Sequence, residues 1–90
     1  MKGKERADIR ARANTLKPAL IIGKNEINEN VINQITEYFE SHEIIKISVL
    51  NSVTTELKDI ADELTSKIKA DVIQIIGKKI VLYSTFYLKD

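Results

Sequence analysis

Asp71-Val72-Ile73-Gln74-Ile75-Ile76-Gly77-Lys78-Lys79-Ile80-Val81-Leu82-Tyr83 decides the fold of this 90-residue chain. Two runs rich in β-branched residues flank a two-residue link that begins with glycine, the composition of a β-hairpin with a type II′ turn. Inside it lies Ile75-Ile76-Gly77-Lys78, and the same tetrapeptide occurs earlier as Ile21-Ile22-Gly23-Lys24. The two copies use two of only three glycines, so the question is whether they are a repeat. Their downstream neighbours differ. After the first copy, Asn25-Glu26-Ile27-Asn28 leads into a helical pattern; after the second, the chain turns directly into another strand. Gly23 therefore opens a strand-to-helix loop and Gly77 a tight reversal.

Upstream of the hairpin, Val53, Leu57, Ile60, Ala61, Leu64 and Ile68 recur at helical spacing, with Thr54 or Ser52 placed to cap that helix. Ile44 to Leu50 alternates, with Ile45, Ile47 and Val49 on one side and Lys46 and Ser48 on the other, a strand with one wetter face. Before it, Asn28 is a good N-cap for an amphipathic helix of about four turns. That helix carries Val31, Ile35, Tyr38, Phe39 and His42 on its apolar side and should end near Ser41-His42-Glu43. Ala19-Leu20-Ile21-Ile22 reads as a short buried strand. Pro18 excludes Lys17 from the α region, so a first helix over residues 4–14, with Ile9, Ala13 and Leu16 as its thin stripe, must stop before it. Phe86 to Asp90 fits no regular element. The order α-β-α-β-α-β-β predicts an α/β fold: two β-α-β units with parallel strands, a closing antiparallel strand, and helices packed on a mixed four-stranded sheet. Residues 1–90 should form a single domain.

Composition narrows the function. An apolar share of 43% and a charged share of 30% are those of an ordinary globular domain. With no cysteine there is no disulfide framework, thiol nucleophile or thiolate metal site. No run of about 18 apolar residues could span a membrane, and Met1 to Ala13 lacks the apolar core of a signal peptide, so a cytoplasmic protein is expected. The single histidine, His42, falls where histidines usually pack or cap a helix. No HExxH, GxSxG or Walker A pattern occurs. The expectation is a non-enzyme, with no metal, cofactor, small-molecule substrate or membrane partner.

Charge is uneven. Residues 1–17 carry six basic side chains (Lys2, Lys4, Arg6, Arg10, Arg12, Lys17) against Glu5 and Asp8, a net +4, which leaves −3 for the remainder. A basic arm on a mildly acidic body suits an anionic partner on one face. The loop after Ile22 suits the same partner: a glycine admits close backbone approach, the following helix N-terminus is partially positive, and Lys24 adds a full charge.

Three blocks in order, Leu16-Lys17-Pro18-Ala19 through Gln34-Ile35, His42 through Val49, and Val72 through Ser84, resemble a CRM domain, and most closely the small bacterial single-domain proteins of the YhbY family. The resemblance spans roughly residues 10–84. It implies a fold similar to the C-terminal domain of translation initiation factor three. It also implies RNA binding, and association with large-subunit ribosome precursors during assembly. The family's loop reads GxxG, similar to the loop with which KH domains clamp a nucleic-acid backbone. Gly23, Lys24 and Asn25 match it, and Glu26 stands where the second glycine is usual, bringing a Cβ and a negative charge. The implied RNA-binding loop is thus Gly23, Lys24, Asn25 and Glu26. The basic surface expected beside it is Arg6, Arg10, Arg12 and Lys17, extended by Lys46, Lys78 and Lys79, with Lys78 as an auxiliary contact. The acidic helices (Glu37, Glu40; Asp59, Asp62, Glu63) should face away. With few aromatics, recognition should run mainly through the backbone and shape of structured ribosomal RNA, by a monomer. The alternative is a protein-interaction module on the ribosome or an assembly factor, with RNA contact incidental.

Overall fold

The computed structural model describes residues 3–23 and 27–89. Helices α1 (Gly3–Ala13), α2 (Glu29–Tyr38) and α3 (Leu57–Lys67) alternate with strands β1 (Leu20–Ile22), β2 (Ile44–Val49), β3 (Asp71–Ile76) and β4 (Lys79–Tyr83). The strands form one mixed sheet in the order β1-β2-β4-β3. β1 is parallel to β2, and β4 is antiparallel to both β2 and β3. The hairpin thus lays β4 between β2 and β3, and leaves β1 and β3 as edges. Ile76 pairs with Lys79, so the turn is the two residues Gly77 and Lys78, and Gly77 has the positive φ of 57° that such reversals require.

The period-two pattern of β2 separates two layers. Ile45, Ile47 and Val49 point to one face, where Ile22, Ile80 and Leu82 join them under Ile35 of α2, Phe39 at its C-cap, and Ile60, Ala61 and Leu64 of α3. On the other face Ile9 and Ala13 of α1, four residues apart, pack on Ile44, Ile73 and Val81. Ile73 reaches that layer through a bulge: Val72 pairs with Leu82 but Gln74 with Val81, so Ile73 is the extra residue. Arg6 Nη1 donates to the Val72 carbonyl beside the bulge at 2.7 Å.

Several expectations need correction. β1 is not a buried strand; Ile22 is fully buried, but Ile21 is 62% exposed because it points to the face that α1 leaves open. α2 is shorter than four turns. Its last bonds tighten, Glu40 N–H to Glu37 carbonyl and Ser41 N–H to Tyr38 carbonyl, which ends the helix at Tyr38. His42 lies beyond that end, exposed, its ring stacked on Tyr38 at 4.1 Å between centroids. α3 begins later than Ser52 or Thr54 would allow. A turn closed by Val53 N–H to the Leu50 carbonyl delays it, and Glu56 takes the N-cap position without a side-chain cap bond. Asn28 does cap α2, its Oδ1 accepting from Val31 N–H at 3.0 Å.

The tail is fixed by a small polar knot. Buried Ser84 donates its hydroxyl to the Lys69 carbonyl at 2.6 Å and accepts from Phe86 N–H at 3.2 Å. Tyr87 Oη accepts from Lys69 N–H at 2.9 Å while its ring stacks near Phe39, and Lys89 N–H donates to the Glu40 carbonyl.

Candidate nucleic-acid interface

Ile22-Gly23 and Gly77-Lys78 come to the same end of the sheet. Leu50 N–H donates to the Ile22 carbonyl at 3.0 Å, and Val49 N–H donates to the Lys78 carbonyl at 2.8 Å. The end of β2 therefore sits between Gly23 on one side and the hairpin turn on the other. Gly23 lies close to the Leu50 side chain: a Cβ at that position would stand 3.3 Å from Leu50 Cδ1, a tight contact that a small shift of the exposed leucine relieves. Lys24, Asn25 and Glu26 lie outside the described residues. Asn28 and the N-terminal end of α2 come directly after the loop.

The basic residues divide into two groups. Lys79 is half-buried on the face that carries α1, Lys46 lies on the same face one row further in, and Lys78 is exposed at the turn. None of the three makes an ion pair with a described residue. Arg6 and Arg12 are held at the other end of the sheet, Arg6 by the Val72 carbonyl and Arg12 by Glu43 Oε2 at 3.4 Å. Arg10, on α1, and Lys17, in the connection to β1, are exposed. The acidic residues of α2 and α3 belong to helices on the opposite face, as the sequence implies. Among the described residues no three His, Cys, Asp or Glu side chains gather as metal ligands. No described helix is long and apolar enough to cross a membrane.

One family model, the CRS1 / YhbY (CRM) domain, matches residues 1–84. The chain belongs to the CRM family. The Probable RNA-binding protein YqeI of Bacillus subtilis is 38% identical over 81 residues, covering 90% of this chain and 84% of the relative. An RNA-binding protein of Haemophilus influenzae is 29% identical over 80 residues, covering 89% and 81%. A solution structure from Staphylococcus aureus, the candidate RNA-binding protein SAV1595, matches with a TM-score of 0.78 at 36% identity, covering 92% of this chain and 86% of that one.

In this CRM domain the strand register also reveals residues that reading along the chain missed. Ile21, Ser48 and Ile76 share the open face with Lys79, and Leu50 walls the loop end. The periodicity of β2 did mark Ser48 as outward, but nothing in one strand says which residues of the other strands stand beside it.

Proposed function

We propose that this protein binds RNA at the end of its sheet where Gly23 and the Gly77-Lys78 turn flank β2, on the side that carries Lys46 and Lys79. The observation that carries this is the approach of Ile22-Gly23 and of the Gly77-Lys78 turn to the end of β2, beside three lysines that no described carboxylate neutralises. The relatives named as RNA-binding proteins support the same reading. A polyanion is the partner such a surface attracts, and it would lie on the face opposite the acidic helices. The RNA is ribosomal, in precursors of the large subunit, and the protein acts during their assembly; the family resemblance motivates this finer assignment.

Binding of purified protein to large-subunit ribosomal RNA fragments over a salt series tests the first part. Affinity should fall linearly on a log–log plot, and Lys46→Glu with Lys79→Glu should lower the slope by about 0.7 to 0.9 for each phosphate that is no longer neutralised. A flat salt response removes the proposal. Sedimentation of cell extract tests the second: the protein should travel with large-subunit precursors and leave them after RNase treatment.

A further inference from the structure

One cross-strand row of the sheet is left uncovered. Ile21 pairs with Ser48, Ser48 with Lys79, and Lys79 with Ile76, so the four residues stand side by side across β1, β2, β4 and β3. All four point to the face that α1 occupies, but α1 sits on Ile44, Ile73 and Val81, nearer the other end. The row's two ends are apolar and open, Ile21 at 62% and Ile76 at 58% exposure, while Ser48 and Lys79 between them are half-buried. Adjacent strands lie about 4.8 Å apart, so the two isoleucines are separated by roughly 14 Å. The only strand carboxylate among the described residues, Asp71, pairs with Tyr83 at the far end.

We propose that this row is a seat for unpaired nucleotides, with bases laid on Ile21 and Ile76 and the phosphates between them held by Lys79, Lys46 and the Ser48 hydroxyl. The inference rests on the RNA reading above and sharpens it from shape recognition of duplex to contact with a single-stranded segment. A duplex presents phosphates and 2′-hydroxyls and hides its base faces, so it would satisfy the lysines and leave both isoleucines in water. An unpaired strand offers flat apolar surfaces and charge together, which matches apolar ends around a cationic centre. The row begins two residues before Gly23 and ends one residue before Gly77, so it lies next to the sheet end proposed above.

The test compares a fluorescent single-stranded ribosomal RNA segment with a hairpin duplex of the same composition, for wild type, Ile21→Ser with Ile76→Ser, and Ile21→Leu with Ile76→Leu. Both changes keep the charge, and both sites are exposed; circular dichroism and thermal melting confirm that the variants fold. Wild type should prefer the single strand, and the serine pair should lose about tenfold on that probe. The leucine pair should retain the preference. Equal binding of both probes by wild type, or an unchanged single-strand affinity in the serine pair, overturns the inference and leaves RNA binding standing. Salt-independent binding of both probes removes the RNA reading and the inference with it. Tighter binding of a poly-glutamate peptide than of the single strand assigns the row to an acidic protein. Wild-type self-association abolished in the serine pair assigns it to a second copy of the chain. Either of these also overturns the proposal.

Discussion

Val49 N–H donates to the carbonyl of Lys78 at 2.8 Å, which fastens the hairpin turn to the end of β2. One residue on, Leu50 N–H reaches across to the Ile22 carbonyl. Two glycine-led segments that are 54 residues apart, Gly23 and Gly77, are thereby lined up along one edge. The proposed binding surface therefore depends on the sheet's register, and changes to its parts should affect stability and binding to different degrees.

Gly77 tests the turn. Its φ of 57° lies in the left-handed region, and a Cβ there would meet nothing within 4 Å. Strain, with no steric clash, is therefore the whole effect of Gly77→Ala, about 1–2 kcal/mol. At roughly 4–8 °C per kcal/mol for a domain of this size, thermal melting should show a drop of at least 4 °C. Gly77→Asn should lose less, since asparagine tolerates this conformation.

Gly23 tests the loop. Its backbone is not in the left-handed region, and the nearest obstacle to a methyl is the Leu50 side chain, 46% exposed and free to shift. Gly23→Ala should therefore keep its melting temperature within about 4 °C of wild type. RNA affinity should nevertheless fall, because the methyl and the displaced Leu50 both intrude where a phosphate would approach the backbone. A large loss of stability would instead make Gly23 a packing residue.

The contrast between these glycines shows what one chain's sequence could disclose. The alternation of Ile45, Ile47 and Val49 and the stripe of Ile60, Ala61 and Leu64 encode their own burial, because each period is local. The hairpin is local too. The insertion of β4 between β2 and β3, the bulge at Ile73 and the open row are pairings between distant segments, and no single-strand pattern specifies register. Ile21 looked buried because an apolar run of four residues does not reveal that one face of its strand has no cover. Arg6 and Arg12 looked like free cations because their partners, a backbone carbonyl and Glu43, are 66 and 31 residues away. For the same reason the tail could not be assigned: Ser84 and Tyr87 act on Lys69, across a hairpin.

The two helix starts should respond in opposite senses. Asn28→Ala removes the bond to Val31 N–H and should lower stability by about 1 kcal/mol. Glu56 already has the extended backbone of an N-cap, φ −62° and ψ 140°, but its side chain makes no cap bond. Asp and Ser are short enough to reach the N2 or N3 amide, so Glu56→Asp or Glu56→Ser should raise stability by about 0.5–1 kcal/mol. Urea denaturation of the three variants, read at constant m, checks both signs.

Ser84 tests whether the tail is part of the folded core or an appendage. Its hydroxyl is the acceptor for Phe86 N–H and the donor to the Lys69 carbonyl, and Ser84→Ala leaves both without that partner. Unpaired polar groups in a partly buried setting cost about 1–3 kcal/mol, and the part of this that is local should appear as fraying. Amide hydrogen exchange separates the two. If the knot anchors the tail, Lys89 N–H, bonded to the Glu40 carbonyl at 2.9 Å, should exchange faster in Ser84→Ala, while Val81 and Leu82 in β4 keep their protection. Tyr87→Phe removes only the hydroxyl that accepts from Lys69 N–H and keeps the ring beside Phe39, so it should speed exchange less. Equal exchange at Lys89 in wild type and Ser84→Ala would show that the tail is held without Ser84, by Tyr87 and the contacts of Lys89 with Glu40. A uniform loss of protection reaching Val81 would show that tail and sheet unfold as one unit.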